Sequence, residues 1–492
     1  MSSLVQFENL VGGKPVAARE SFESYNPFTG KPWALIPRCN EQDVDAAVEA
    51  AARAYRGEWS SLTASARGRL LMCFADVLVE NAEELGQIET RDNGKLIAEM
   101  SAQVRYAAEW YRYYGGLADK LEGAVLPIDK PGMFTFTRHE PLGVIAAIVP
   151  WNSPLMLLTW KLAALLCAGN TVVIKPSEHA SASTLAFVRL FEKAGFPAGV
   201  VNTVTGMPDE VGVPLVRHPK VAKIAFTGGE PGGVAIYKAA AENLKTVTLE
   251  LGGKSANIVF ADADLESAAN GVISGIFAAS GQTCIAGSRL LVERKVHDEL
   301  VERIVAIAGT AKIGDPSSFD TQVGPVTTRQ QREKVLHYLD VARADAAEWV
   351  LGGGIRPDPA SRDGWFVQPS IFTGVNNMMR IAREEVFGPV LSIIPFDGEE
   401  DGFAIANDTP YGLAGGLWTK NMGRALRGAA AIEAGTVWIN TYRTVSFMAP
   451  FGGYKRSGIG RESGQEAVNE FLQTKTVWID TIGKTGNPFI LQ

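Results

Sequence analysis

Histidine and cysteine are scarce in this chain, with five of the first and four of the second among 492 residues. None of His139, His179, His218, His297 and His337 stands at the spacing that metal ligands need, so neither a metal centre nor a cysteine–histidine pair is expected. Cys39, Cys73, Cys167 and Cys284 have no short paired spacing. That speaks against a disulfide framework or a Cys-x-x-Cys site and favours a reducing compartment, the cytoplasm. No uninterrupted apolar run reaches the ~20 residues a membrane helix requires. The most apolar stretch, residues 155–174, is broken by Lys161, Gly169 and Asn170 and reads as a buried helix followed by a strand. Residues 1–15 carry charged and polar side chains where a secretory leader would be apolar. Positive charge is not in excess either: 47 basic against 54 acidic residues give a net charge of -7 without a basic stripe, which argues against nucleic acid as a partner.

What remains is ordinary globular composition, 46% hydrophobic and 21% charged, in a chain long enough for two or three domains. Asn40 to Asp43 reads as a polar helix start, with Val44, Val48, Ala51 and Ala52 at helical spacing behind it. From Gly143 short apolar runs alternate with helical stretches: strands at residues 144–149, 171–174, 200–204, 224–226 and 246–249, helices at 155–168 and 181–194. A second series of strands follows at 256–260, 289–292, 371–373, 390–395, 415–419 and 436–439. Such alternation predicts two α/β domains with parallel sheets covered on both faces. Residues 134–138 and 476–479 also read as strands but have no local partner.

Polar motifs stand at the carboxyl ends of the first series, where ligands of parallel sheets bind. Asn152, in Val-Pro-Trp-Asn-Ser-Pro, is an amide in a rigid turn, able to donate to a developing oxyanion. Lys175-Pro-Ser-Glu178 offers donors and a bidentate acceptor suited to ribose hydroxyls. Phe226-Thr-Gly-Gly-Glu-Pro-Gly-Gly233 puts glycines before a helix, where phosphate is attracted, although Gly-x-Gly-x-x-Gly is absent and Glu230 adds a negative charge there. Glu250 ends a strand before Gly252-Gly253, and partial burial between domains would raise its pKa toward that of a useful base. Cys284 lies in Gly-Gln-Thr-Cys, 34 residues after Glu250. A free cysteine is ordinarily a small buried hydrophobe, so only its company makes it a nucleophile.

Together these segments resemble the aldehyde dehydrogenase superfamily of the NAD(P)-dependent, hydrolytic type, over nearly the whole chain. The resemblance is carried by Pro150-Trp-Asn152, Lys175-Pro-Ser-Glu178, Phe226-Thr-Gly228 with Gly233, Leu249-Glu-Leu-Gly-Gly-Lys254, Gly281-Gln-Thr-Cys284, Glu384-Glu-Val-Phe-Gly-Pro389 and Pro450-Phe-Gly-Gly453, in the family's order. It implies a cofactor domain (residues 1–122 and 142–252), a catalytic domain (253–456) and an oligomerisation β-arm (123–141 and 472–483), hence a homodimer or homotetramer. It implies Cys284 as nucleophile, Glu250 as general base, and Asn152 with the Cys284 N–H as oxyanion donors. For NAD, with NADP as the lesser possibility, it implies Lys175, Glu178, Gly206, Gly228, Gly229, Gly233, Trp151, Glu385 and Phe387.

Two departures bear on specificity. Gly229 replaces the serine common after Phe-Thr-Gly, removing one contact to phosphate. Ser153 stands where many relatives carry a bulky aromatic beside the asparagine, leaving room in the tunnel. With Met156, Leu157, Trp160, Thr283, Ile285, Phe447 and Phe451 as further walls, an aromatic or medium-chain aliphatic aldehyde is expected. Arg443, on the segment bordering the tunnel mouth, offers the alternative of a semialdehyde anchored by its carboxylate. Glu178 favours NAD, since a carboxylate near the ribose repels a 2'-phosphate. A CoA-acylating enzyme would have no use for Glu250, and a cysteine hydrolase would need a positioned histidine. A structural protein reusing the fold would not need Cys284, Glu250 and Asn152 together.

Overall fold

The computed structural model describes residues 4–353, 363–483, 487 and 489. Residues 1–3 and 354–362, assigned above to the cofactor and catalytic domains, lie outside the described residues. The fold is the expected mixed α/β arrangement built on two mostly parallel sheets.

The first sheet has at its centre Val144–Val149, Val-Ile-Ala-Ala-Ile-Val, every residue buried. An apolar run with no polar alternation suits a strand covered on both faces. On one side follow Thr171–Pro176 and Val201–Thr203; on the other, Val221–Thr227 and Thr246–Glu250, all parallel, with Gly458–Ile459 closing that edge antiparallel. The chain therefore reverses its winding between Val144–Val149 and Val221–Thr227. That switch point leaves a crevice at the strands' carboxyl ends, which is where Trp151, Asn152, Gly228 and Gly229 stand.

The second sheet runs Glu348–Leu351, Ser370–Thr373, Val390–Phe396, Arg289–Glu293, Ala256–Val259, Ala414–Trp418 and Thr436–Ile439, parallel except for the first strand. Residues 251–255 pass from one sheet to the other, so Glu250 sits on the crossing.

Helix Glu41–Arg56 starts as its polar signal predicts: the Asn40 side chain accepts from the N–H of Gln42 and Asp43, and Asp43 returns the bond to Asn40. Helix Pro154–Cys167 is buried on every side, Lys161 included. The helix expected over 181–194 is instead two short ones, Ala182–Val188 and Leu190–Lys193. Strands Glu20–Asn26, Lys31–Arg38 and Glu348–Leu351 have no counterpart in the reading of the sequence. In Glu20–Asn26 exposed polar residues hide the alternation by which strands are recognised, while Lys31–Arg38 carries a proline near each end. The two orphan strands pair with each other: Met133–Pro141 and Leu472–Asp480 form an antiparallel ribbon, from Leu472 opposite Pro141 to Asp480 opposite Met133. Among the described residues no helix is long and apolar enough to cross a membrane.

Candidate active site

Cys284 follows a backbone kink. Ala279, Ser280 and Gly281 all have positive φ (52°, 52° and 69°), so three successive residues sit in the left-handed region before the chain straightens. Glycine is required at the third: a Cβ on Gly281 would fall 2.1 Å from the Gly388 carbonyl oxygen. The kink is held by buried polar bonds. Ser280 Oγ donates to the Gly324 carbonyl (2.8 Å), the Thr327 N–H donates to Gln282 Oε1 (3.0 Å), and the Tyr442 hydroxyl donates to the Ile285 carbonyl (3.1 Å).

Asn152 is buried, and its Nδ2 donates to the Gln282 carbonyl at 2.9 Å, which ties the amide to the cysteine loop and leaves its second N–H available. Glu250 is also buried, and among the described residues neither carboxyl oxygen has a hydrogen-bond partner. A buried carboxylate left unsatisfied is costly and marks a group kept ready for chemistry. Burial pushes its pKa well above the ordinary value, the nearby Glu462 carboxylate adds to this, and Lys161 opposes it. Asn152, Glu250 and Cys284 line one cleft of about 190 Å³ with Trp151, Leu157, Gly228, Gly229, Glu385 and Phe387.

The Cys284 thiol is not activated at rest. Burial pushes it up to about 12, the Glu250 and Glu385 carboxylates push the same way, and the N–H groups of Cys284 and Ile285 oppose them. Its side chain remains partly accessible from the cleft. The arrangement holds a neutral thiol in one cleft with a buried carboxyl of raised pKa.

Behind Glu250 stands an ionic cluster that motif reading missed. Lys161, at 0% side-chain exposure, donates to Thr227 Oγ1 (2.5 Å) and pairs with Glu462, itself 2% exposed. Glu462 is pushed up by burial, with Lys161 opposing. Arg461 also opposes the rise of Glu250, and Lys223 that of Glu462. The one signal in the sequence was Lys161 as the lone charge in an apolar helix. Because Lys161 lowers Glu250, its loss should raise the base further. Lys161→Met is expected to move the pH dependence of kcat to higher pH and to lower kcat at pH 7 by about 10-fold or more. The unpaired Glu462 should also cost roughly 3–5 kcal/mol of stability. An unchanged pH profile would separate this cluster from the base.

The second cleft runs along the switch point and fits a dinucleotide. It is lined by Pro150, Trp151, Lys175, Glu178, Phe226, Gly228, Gly229, Gly232 and, unforeseen, His179, Val213 and Ile236. Helix Glu230–Ala241 opens on Gly229 with no side-chain cap, leaving its first-turn amides for an anion. Glu230 does not spoil this, because its carboxylate pairs with Arg456. At the far end Lys175 Nζ lies 3.2 Å from Glu178 Oε2. Burial pushes Glu178 up, but Lys175, its own backbone N–H and His179 outweigh this and hold it below its ordinary value. At the near end Glu385 accepts from the Gly253 N–H (3.0 Å), and Phe387, at φ 58°, meets Trp151 edge-on at 5.4 Å. Gln331, also unforeseen, fixes that loop by donating to the carbonyls of Val386 and Phe387 (3.0 and 2.8 Å).

Three expected cofactor contacts look different in the structure. Gly206 lies outside the lining of both clefts, against Val211 and Cys39. Gly233 also lies outside them and packs against Leu251, where a Cβ would come within 2.5 Å. Gly228 lines both clefts, but its N–H is taken by the Glu250 carbonyl (3.0 Å).

Of the expected tunnel residues, only Leu157 shares the Cys284 cleft. Met156, Trp160, Ile285 and Phe451 are buried; Thr283, Phe447 and Arg443 are half-buried. Trp160 packs on Phe451 (4.9 Å between rings) and stacks on Trp110 (6.0 Å), while Phe447 meets Trp110 at 5.8 Å and Tyr113 at 5.3 Å. Trp110 and Tyr113 thus extend an aromatic wall whose other half was legible. Ser153 Oγ accepts from Lys95 Nζ at 2.6 Å, and Arg443 Nη1 donates to the Ser274 carbonyl at 3.1 Å.

The model of the family described as "Aldehyde dehydrogenase family" matches residues 15–477. A relative from Acinetobacter baylyi, named (Z)-2-((N-methylformamido)methylene)-5-hydroxybutyrolactone dehydrogenase, is 47% identical over 491 residues, covering 99% of this chain and 100% of the relative. The solved NAD+ complex of aldehyde dehydrogenase from Bacillus cereus superposes with a TM-score of 0.94 at 42% identity over 96% of both chains. Betaine aldehyde dehydrogenase from Staphylococcus aureus, also solved with NAD+, gives 0.97 at 37% identity over 99% of this chain and 97% of that one. With the whole length matched in sequence and in fold, the chain belongs to the aldehyde dehydrogenase family.

Proposed function

We propose that this chain oxidises an aldehyde with an aromatic or medium-chain apolar body to the carboxylic acid, with NAD as cofactor. The observation that carries this reading is one cleft holding a thiol, an amide donor and a buried carboxyl with both oxygens free. Cys284 adds through sulfur to the aldehyde carbon as its proton leaves for water in the cleft. The oxyanion is met by the free N–H of Asn152 and by the Cys284 N–H. NAD, when bound, accepts the hydride as the thiohemiacetal is oxidised. A thioester on Cys284 remains, and Glu250 takes a proton from the water that hydrolyses it, returning it to the departing Cys284 sulfur. The free carboxyl of Glu250 favours water over coenzyme A as the acyl acceptor.

The substrate reading rests on the aromatic wall of Trp110, Trp160, Phe447 and Phe451 and on the small Ser153. The cofactor reading rests on Glu178, held ionised beside Lys175, and on the NAD+ complexes of the two solved relatives. The ribbon of Met133–Pro141 and Leu472–Asp480 exposes Phe134, Trp478 and Ile479, which favours burial against another copy in a homodimer or homotetramer. The four cysteines are all free, in keeping with the cytoplasm.

An aldehyde panel assayed with NAD and with NADP tests substrate and cofactor together. Hexanal, benzaldehyde or phenylacetaldehyde should exceed acetaldehyde in kcat/KM by about 10-fold or more, since each buried CH₂ contributes about 0.8 kcal/mol. NAD should exceed NADP by a similar factor, and Glu178→Ser should narrow that gap. Acetaldehyde as the best of the four would overturn the substrate reading, and equal use of both cofactors would overturn the role of Glu178.

A further inference from the structure

Cys284 sits at the apex of a β-turn. The Ala286 N–H donates to the Thr283 carbonyl (3.0 Å), which leaves Cys284 and Ile285 as the two central residues. Among the described residues neither of their own N–H groups is spent on a backbone carbonyl, and both face the Cys284 sulfur. The first foot of the turn is fixed by the Asn152 amide on the Gln282 carbonyl (2.9 Å) and by the Thr327 N–H on Gln282 Oε1 (3.0 Å). The second foot is the peptide from Ile285 to Ala286. Its carbonyl accepts from the Tyr442 hydroxyl at 3.1 Å, and among the described residues no other donor reaches that oxygen.

Tyr442 is built into the fold as a fixed post. It is buried, and its ring lies in a slot between three glycines. A Cβ would come within 3.0 Å of the ring at Gly275 of helix Leu265–Phe277 and within 2.6 Å at Gly416 of strand Ala414–Trp418. At Gly287 it would come within 3.0 Å of the hydroxyl oxygen itself. Trp438 packs on the same ring, with centroids 4.8 Å apart. The backbone on either side is clamped as well. Asn440, at φ 53°, exchanges two bonds with Thr419 (2.9 Å each), and Trp438 Nε1 donates to the Thr444 carbonyl (2.8 Å). A phenol packed this tightly does not follow a moving loop, so the loop is held to the phenol.

We propose that Tyr442 is a positioning residue for the reaction at Cys284: its hydroxyl fixes the second foot of the turn, so that the N–H groups of Cys284 and Ile285 stay aimed at the sulfur and at the oxyanion that forms beside it. This rests on the reading of Cys284 as the nucleophile and adds the residue that holds its loop from 157 positions away. Without the hydroxyl the Ile285 carbonyl is left unpaired inside the fold, and the turn opens to satisfy it. The thiolate and the oxyanion then lose the same support. The cofactor cleft, which Tyr442 does not line, is untouched.

The test is Tyr442→Phe, which removes one oxygen and keeps the ring, read in two ways. In the protein without cofactor, the rate of Cys284 alkylation by iodoacetamide at pH 8, followed by peptide mass spectrometry, should fall about 10-fold. In steady state with NAD and hexanal, kcat should fall about 10-fold while KM for each stays within about 2-fold of the unaltered protein. Tyr114→Phe deletes another buried tyrosine's bond to a backbone carbonyl, that of Gly464 (2.7 Å), and should leave the alkylation rate unchanged. If Tyr442→Phe does not fold, Gly287→Ala, which pushes the hydroxyl aside without deleting it, should slow alkylation to the same degree. An alkylation rate that stays level or rises in either folded variant overturns the inference, as does an equal loss in Tyr114→Phe. If that rate is unmoved while the unaltered protein oxidises hexanal and Cys284→Ala does not, the role of Tyr442 alone falls. If Cys284→Ala retains full activity, the nucleophile reading falls and takes this role with it.

Discussion

Cys284→Ala should lose kcat by about 10⁴-fold or more on every aldehyde, since nothing else in the cleft can form the covalent intermediate. NAD binding, followed by calorimetric titration, should change little, because the residues lining the switch-point groove do not include Cys284. Retention of even a few per cent of kcat would mean that water or another group attacks the aldehyde directly. The resting thiol makes the prediction sharper. Its pKa is pushed up to about 12, so this is not a preformed thiolate but a nucleophile that needs its proton removed at the moment of attack. Activity should accordingly rise with pH into the alkaline range.

The second large effect is expected for Glu250→Gln, and it should fall unequally on the two halves of the reaction. The Glu250 carboxylate raises Cys284, so replacing it with an amide makes the thiol easier to ionise. Addition and oxidation should therefore continue, while water finds no base. A burst of about one NADH per subunit followed by turnover lowered about 10²- to 10⁴-fold is the expected course. A slow reaction without a burst would place Glu250 in the first half instead.

The sequence displayed the site's parts more readily than their support. Asn152, Lys175, Glu178, Gly228 and Glu250 each follow a short apolar run, so the rule that ligands collect at the carboxyl ends of parallel strands located them before any coordinates. The supports are hidden for definite reasons. Ala279 and Ser280 have no preference for the left-handed region, and only Gly281 betrays the kink beneath Cys284. Lys161 pairs with Glu462 across 301 positions, and Lys95 meets Ser153 across 58, separations at which no local pattern survives. The ribbon strands were found singly, but their pairing, Phe134 opposite Ile479, joins distant parts of the chain. Gly233 looked like a phosphate glycine because its motif does not distinguish room for a ligand from room for the Leu251 side chain.

The central chemical species is a thioester at Cys284 that Glu250 resolves. The most direct measurement is peptide mass spectrometry of the Glu250→Gln protein after mixing with NAD and hexanal and quenching in acid. The account predicts a hexanoyl group on the peptide containing Cys284, at close to one per subunit, and none in Cys284→Ala. An unmodified Cys284 during turnover, or an acyl group on another residue, would contradict it.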